Sequence, residues 1–338
     1  MTAPATRDTP SAAGPAAVDG PRLAGRLRSP RTWGWGALVL LGLAAPYLVY
    51  PVFAMNVLCL ALFASAFNLL LGYAGLLSFG HAAFLGASAY ATGAAVKLAG
   101  LPPELAVLCG TSVAALLGWV FGSLAIRRSG ISFAMITLGF AQLVYFLVVQ
   151  MAWTGGEDGL QGISRGRALG IVDLAEPHRM YYFVFAAFLA GFWLIHRTID
   201  SPFGHVLRAI RENEPRALSL GYAVESYKLV AFVLSAALSG LAGALKAVVL
   251  QFASLSDVHW HRSGEVILMT LLGGMGTPLG PSVGALLVVS LENYLVDAGS
   301  WVTVITGGVF VLCVLVFRRG IVGEVRALVR RSFLGVAR

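Results

Sequence analysis

Long apolar stretches, separated by short polar segments, run through most of the chain. Each stretch approaches the roughly 20 apolar residues that a helix needs to span a bilayer. The pattern predicts an all-α, polytopic integral membrane protein with about ten transmembrane helices, of which the eighth is the shortest. The predicted spans are residues 33–50, 52–71, 79–99, 104–126, 131–151, 180–196, 229–251, 264–276, 279–296 and 301–317.

The composition supports the same fold class. Of the 338 residues, 58% are hydrophobic and 12% are charged, against roughly 45–50% and about 25% in soluble domains. The mean hydropathy is +0.80, and so much apolar surface cannot be buried in a soluble core. A soluble enzyme, a secreted disulfide scaffold and a disordered protein are therefore excluded. The cysteines Cys59, Cys109 and Cys313 lie in apolar stretches without metal-ligand spacing, and neither a metal nor a cofactor is predicted.

The net charge is +8, and the positions of the basic residues along the chain predict the topology. Basic residues flank the apolar segments and form no patch interleaved with aromatic residues, which favours membrane lipid over nucleic acid as a partner. With ten spans, most Lys and Arg residues fall on the side of the N-terminal segment, so both termini are predicted to be cytoplasmic. The predicted regions are a disordered cytoplasmic tail at 1–32, a transmembrane domain at 33–318 and a basic cytoplasmic tail at 319–338.

Two glycine-rich breaks, residues 72–81 and 273–281, interrupt apolar sequence. Irregular backbone at membrane depth is tolerated only inside protein or beside a water-filled cavity, so the breaks are candidates for a substrate route. Ser78 and Thr277 are the predicted N-caps of the helices that follow, whose N-termini would offer free N–H groups to an anion. The alternative is that the glycines form tight turns or close helix contacts, with His81 as a packing residue. The candidate pathway residues are Asn68, Gly75, Ser78, Gly80, His81, Gly276 and Thr277.

Other polar side chains lie within or beside the predicted spans, where such groups normally face the bundle or a cavity. Lys246 falls in the seventh span, and Glu292 lies near the outer end of the ninth, where an interfacial position is favoured. Asp257, His259 and His261 alternate on an outward loop. No further ligand is near them, so a solvated loop is favoured over a metal site.

Residues 201–221 form a polar segment on the predicted cytoplasmic side. Ser201 and Pro202 predict a helix start, Pro215 predicts the end or a kink of that helix, and Gly221 stops one further turn. The segment is either a surface helix lying on the membrane or a docking element for a cytoplasmic partner.

Three motifs give the chain a resemblance to a known family. They are NLLLGYAGLLSFGHAAFLGASAY at 68–90, RAIRENE at 208–214 and LLGGMGTPLGP at 271–281, with the loop TGGEDGLQG at 154–162 between them. Together they closely resemble the membrane-spanning subunits of bacterial branched-chain amino acid ABC importers, particularly the LivM type. The resemblance covers roughly residues 36–323.

The resemblance implies a multi-pass permease of the bacterial inner (plasma) membrane. Its partners would be a second related permease, two cytoplasmic ATP-binding subunits and a periplasmic or lipid-anchored substrate-binding protein. It also identifies 201–221 as the counterpart of the ATPase-coupling loop, in which Pro215 departs from the charged or aliphatic residue expected there. The candidate coupling residues are Arg208, Arg211, Glu212, Glu214 and Gly221.

The predicted function is ATP-driven import of branched-chain amino acids or related small polar metabolites, with ATP hydrolysis on separate subunits. The alternative is an ion-coupled secondary amino-acid transporter acting alone. Such carriers use buried acidic relays, whereas Glu292 is the only carboxylate well inside a predicted span. No H-E-x-x-H, G-x-S-x-G or Walker A motif supports an enzyme. The substrate stays open among leucine, isoleucine, valine, other amino acids, amides, urea and aromatic acids.

Overall fold

The structure is a computed structural model, and it describes residues 30–168, 170, 172–295, 299, 301–316 and 320–324. Almost all of the two predicted tails lies outside the described residues. Most described residues are helical, and the helices coincide with the predicted spans to within a few residues. The helices are α1 (Pro30–Leu48), α2 (Pro51–Asn68), α3 (His81–Lys97), α4 (Pro103–Ala125), α5 (Ile131–Gln150), α6 (Pro177–Ile199), α7 (Pro202–Glu212), α8 (Glu214–Ser219), α9 (Val224–Leu250), α10 (Trp260–Gly273), α11 (Gly280–Tyr294) and α12 (Trp301–Val316).

Two short antiparallel strand pairs lie in the loops. Strand β1 (Leu160–Gln161) pairs with β4 (Phe252–Ala253), and β2 (Arg167–Ala168) pairs with β3 (Val172–Asp173). The first pair ties the loop between α5 and α6 to the segment after α9. The loop between α5 and α6 is therefore held near the C-terminal end of α9.

Five helical segments within the described residues are long and apolar enough to cross a membrane. They are Pro51–Ala74, α4, α5, α6 and α9. The helices α3, α10, α11 and α12 contain 17, 14, 15 and 16 residues, which is short of the roughly 20 residues for a complete crossing. The chain is thus a multi-pass helical membrane protein with five candidate spans among its described residues, and the number of about ten stays a prediction.

The chain divides into two units, residues 1–45 and 46–338. In the second unit α2 and α9 lie at the centre, because 78% and 72% of the residues in their most apolar stretches are buried. The corresponding values for α4, α5 and α6 are 33–39%. These three helices expose large apolar side chains such as Leu116, Trp119, Phe146 and Trp193. An exposed apolar face of this kind suits contact with lipid.

Helix α9 packs closely against α3 and α4. Its small residues follow a small-xxx-small pattern, which predicts close helix contact in membranes. The structure confirms this, because a Cβ added at Gly118 of α4 would lie 2.5 Å from the Cβ of Ala236. The Ser88 hydroxyl of α3 donates to the Gly240 carbonyl oxygen at 2.7 Å. Small side chains on α9 therefore bring three backbones together around the core.

Candidate functional site: two helix breaks and the 201–221 segment

The first break begins where α2 changes its winding. After Asn68 the helix continues as a π-helix over Leu69–Ala74 and ends at Gly75, whose φ of +74° lies in the left-handed region. Residues 75–80 are non-helical, and α3 begins at His81. Short π-helical turns occur frequently at functional sites. The predicted break is therefore real, and it starts within a helix that would otherwise be continuous.

The start of α3 corrects the predicted cap. The N-cap residue is Gly80, and the Ser78 hydroxyl accepts a hydrogen bond from the Gly80 N–H at 3.1 Å. The chain stays non-helical past Ser78 because the next N–H donates to Thr137 Oγ1 of α5 at 3.1 Å. In the first turn, the Ala82 N–H donates to Ser263 Oγ of α10 at 2.9 Å. Hydroxyl groups of neighbouring helices thus occupy N–H groups that the sequence left open to an anion.

The second break joins the end of α10 at Gly273 to the start of α11 at Gly280. Its cap also differs from the prediction, because Leu279 and not Thr277 is the N-cap residue. The Thr277 hydroxyl instead closes the turn before the helix. It donates to the Gly274 carbonyl oxygen at 2.7 Å and accepts from the Gly280 N–H at 3.1 Å.

The two breaks are joined by hydrogen bonds. Asn68 Oδ1 accepts from the Gly276 N–H at 2.9 Å, and Asn68 Nδ2 donates to the Thr277 carbonyl oxygen at 3.1 Å. The Tyr73 hydroxyl donates to the Gly276 carbonyl oxygen at 3.0 Å. The close approach of the two breaks requires glycine at position 72, because a Cβ there would lie 2.9 Å from the Gly276 nitrogen. We call Asn68, Gly72, Tyr73, Gly276 and Thr277 the break junction.

The remaining predicted pathway residues lie outside the break junction. Gly75 is exposed next to it, whereas Ser78 and Gly80 are buried. His81 is fully buried in α3, and its Nε2 lies 2.9 Å from Ser235 Oγ of α9. Its ring makes edge contacts with three phenylalanines, Phe67, Phe84 and Phe232. This is the environment of a packing histidine.

The 201–221 segment folds as two short helices, α7 and α8. Ser201 caps α7, which ends at Glu212, and Asn213 caps α8 by accepting a hydrogen bond from the Arg216 N–H at 3.0 Å. Pro215 lies in the first turn of α8, where its missing N–H costs no helical hydrogen bond. The predicted interruption near Pro215 is confirmed.

Gly221 ends α8 with a φ of +85°. The Gly221 N–H donates to the Leu218 carbonyl oxygen at 2.9 Å, and the Tyr222 N–H donates to the Ala217 carbonyl oxygen at 3.2 Å. These two hydrogen bonds define a Schellman motif, which favours glycine at its left-handed position. The predicted helix stop at Gly221 is confirmed.

Two arginines of α7 reach the break junction. Arg211 Nη1 donates to the Gly72 carbonyl oxygen. The guanidinium of Arg208 lies 5.1 Å from the ring centroid of Tyr73 and donates to the Ile199 carbonyl oxygen at 3.3 Å. The 201–221 segment therefore contacts the π-helical turn directly, and through Tyr73 it is connected to the second break.

The acidic candidates of this segment face elsewhere. Glu212 is exposed at the end of α7. Glu214 pairs with Lys228 of α9 at 2.6 Å, where the lysine side chain is only 5% exposed. This ion pair anchors α8 to the central helix. The small apolar cluster of Ile210, Ala217 and Val224 adds to the same anchoring.

The sequence did not predict a charged cluster at the other end of α9. Lys246 Nζ lies 2.5 Å from Asp257 Oδ1, with both side chains buried, and Arg262 Nε lies 3.5 Å from the same carboxylate oxygen. Arg262 also pairs with Glu265, whose other oxygen lies 3.2 Å from His261 Nδ1. The available signal in the sequence was Lys246, a charge within the seventh predicted span, which is followed 11 residues later by Asp257 in the adjoining loop. Among the described residues, no group of three His, Cys, Asp or Glu side chains could hold a metal ion.

Comparison with known proteins assigns the architecture to a family. The family model described as "Branched-chain amino acid transport system / permease component" matches residues 52–317. The chain is 26% identical to the high-affinity branched-chain amino acid transport system permease protein LivM of Salmonella typhimurium, over 82% of this chain and 72% of the relative. It is 27% identical to LivM of Escherichia coli K12 over the same shares.

A further relative carries a different substrate in its name. The autoinducer 2 import system permease protein LsrC of Klebsiella pneumoniae is 29% identical over 61% of this chain and 60% of its own length. No solved structure matches the chain. The fold and the matched region together define an ABC-type importer permease, a class of membrane subunit that is not itself an enzyme. The chain belongs to the branched-chain amino acid transport system permease family.

Proposed function

We propose that this chain is the membrane-spanning subunit of an ATP-driven importer for branched-chain amino acids. It works in the bacterial inner membrane with both termini in the cytoplasm. Its partners are a second related permease, two cytoplasmic ATP-binding subunits and a periplasmic or lipid-anchored binding protein. Membership of the permease family supports the class of transporter, and the two LivM relatives support the choice of substrate.

The observation that carries the proposal is the contact between the 201–221 segment and the break junction. Arg211 donates to the Gly72 carbonyl oxygen, and the hydroxyl of the next residue, Tyr73, donates to the Gly276 carbonyl oxygen in the second break. A movement imposed on α7 by an ATP-binding subunit would therefore act directly on both helix breaks. Such a connection gives ATP-driven closure a physical route to the membrane region.

In this proposal, substrate passes beside the break junction. Asn68, Gly276 and Thr277 supply the amide and carbonyl groups there, and Gly75 and Met275 are exposed at the tips of the two breaks. Irregular backbone survives at membrane depth only inside protein or beside water, which supports a location next to the route. A change in the winding of the π-helical turn at Leu69–Ala74 would provide the two-state element that alternating access requires.

The test is uptake by the complete transporter reconstituted in liposomes. Leucine uptake should require ATP inside the vesicles, should persist without an ion gradient, and should be absent for this chain alone. The chain alone should also hydrolyse no ATP. Leucine uptake by the chain alone, driven by a proton or sodium gradient, would replace the proposal with the secondary-transporter alternative. ATP-driven uptake of another solute in place of leucine would retain the mechanism and correct the substrate.

A further inference from the structure

The charged cluster at the far end of α9 lies remote from the 201–221 segment. The helix begins at Val224, next to that segment, and its 27 residues place Leu250 about 40 Å away at 1.5 Å per residue. Lys246, Asp257, Arg262 and Glu265 alternate in sign along the cluster. Charges that are buried in this way are costly to remove from water unless they are paired.

A cavity of about 430 Å³ opens beside this cluster. Its volume falls in the range of about 300–1,000 Å³ that small-molecule sites occupy. Arg262 and Glu265 line it with side chains that are both 18% exposed, and Glu157 adds a second carboxylate from the loop after α5. Tyr145 and Leu255 supply apolar surface. The cavity thus presents one fixed cation, two carboxylates and an apolar wall.

The ion pairs leave capacity for a ligand. Arginine has five N–H donors and a carboxylate has about four acceptor positions. Arg262 uses its Nε towards Asp257 and its Nη1 towards Glu265, and Glu265 accepts from Arg262 and faces His261. Because Arg262 and Glu265 already have an opposite charge beside them and Glu157 is exposed, the cavity can be empty without an unpaired buried ion. A ligand that carries both charges can then be accommodated without adding net charge.

We propose that this cavity binds the zwitterionic headgroup of a free α-amino acid. Arg262 holds the α-carboxylate, Glu265 and Glu157 hold the α-ammonium group, and Tyr145 and Leu255 face the aliphatic side chain. The inference rests on the proposed function and adds to it a site on this chain that selects for the amino-acid headgroup. A solute lacking the carboxylate would make no charge-assisted hydrogen bond to Arg262, and a solute lacking the ammonium group would make none to the two carboxylates.

The probe is photo-leucine, a diazirine analogue of leucine, applied to the full chain in lipid nanodiscs. After irradiation, mass spectrometry of the peptides should place the label within residues 254–265 or on Tyr145. Excess leucine should remove the label. Leucinamide, which lacks the carboxylate, and 4-methylpentanoate, which lacks the ammonium group, should each compete about tenfold or more weakly. Equal competition by all three compounds, or label confined to other regions, would overturn the proposal.

Matched variants separate binding from folding. Glu265→Gln keeps the shape of the side chain and should reduce labelling about tenfold, and Arg262→Gln should do the same. The controls are Glu176→Gln and Arg179→Gln, because these residues form an exposed pair with the same i,i+3 spacing at the start of α6. The controls should label as the unmodified chain does. If Arg262→Gln fails to fold, the competition series on the unmodified chain decides alone.

This experiment uses neither ATP nor a partner subunit. Labelling within 254–265 in a chain that shows no ATP-driven uptake in the complete transporter would reject the proposed function and retain the site. Normal ATP-driven leucine uptake without label in that region would reject the site and retain the function.

Discussion

The side chain of Asn68 pairs with the backbone of Gly276 across 208 residues of sequence, at 2.9 Å. The same amide also bonds the Thr277 carbonyl oxygen. A single side chain at the end of α2 thus satisfies backbone groups in the turn between α10 and α11. Unpaired backbone groups at membrane depth cost several kcal/mol, so this amide holds together a turn that would otherwise be unfavourable.

Asn68→Ala should therefore destabilise the protein. The change leaves the Gly276 N–H and the Thr277 carbonyl oxygen without this partner, at a cost of about 1–3 kcal/mol. Thermal unfolding of the purified chain in detergent measures the effect. Asn293→Ala is the control, since Asn293 is exposed on α11 and should change the midpoint little. Equal midpoints for both variants would contradict the bridging role.

Arg211→Ala should uncouple ATP hydrolysis from uptake in the assembled transporter. Loss of a hydrogen bond from a charged donor is worth about 1.5–3 kcal/mol, so coupled uptake should fall about tenfold or more. ATP hydrolysis should persist. Arg216→Ala is the matched control, because Arg216 is an exposed arginine of the same segment. Similar losses of uptake in the two variants would show that the contact with Gly72 does not transmit the movement.

Gly221→Val should impair uptake far more than Glu212→Ala. Nothing lies within 4 Å of a Cβ at position 221, so the cost is conformational and not steric. A non-glycine residue in this left-handed conformation costs about 1–2 kcal/mol, and a β-branched one is the least suited. Gly221→Asn provides the control because asparagine tolerates that conformation, and it should retain most of the uptake. If valine transports as well as asparagine does, the shape of this turn has no role in coupling.

Single cysteines test the substrate route after Cys59, Cys109 and Cys313 have been replaced. Thr277→Cys and Leu77→Cys should react with a small polar thiol reagent, since Thr277 is partly exposed and Leu77 is 36% exposed. Ser78→Cys should be protected, because Ser78 is fully buried. Labelling is compared with and without ATP in the assembled transporter. Protection of every position in all transport states would contradict a route beside the breaks.

The buried pair of Lys246 and Asp257 makes a separate prediction about stability. Lys246→Met leaves the carboxylate without its nearest cation, and breaking a buried pair costs about 3–5 kcal/mol, lessened here by Arg262 at 3.5 Å. Replacing both residues, as Lys246→Met with Asp257→Leu, should recover most of that loss. The unfolding midpoints of the two single variants and the double variant give the comparison. A double variant as unstable as the sum of the single variants would indicate that the residues do not interact.

Local sequence was sufficient for much of the architecture. Apolar stretches placed the helices because burial in lipid depends on length and hydropathy alone. Pro215 and Gly221 placed the interruption and the end of the 201–221 segment because proline and glycine act on their own backbone. The two breaks were visible as glycine-rich interruptions for the same reason.

The positions of the caps and the joining of distant groups depended on the tertiary structure. Ser78 and Thr277 looked like N-caps, but each N-cap lies two residues later. The Thr137 hydroxyl of α5 binds the Phe79 N–H before α3, and the Thr277 hydroxyl closes a local turn before α11. The bonds from Asn68 to Gly276 and from Arg211 to Gly72 join segments that lie far apart in the chain. Capping and periodicity act over about four residues, whereas these contacts exist only because packing around α2 and α9 brings the helix ends together.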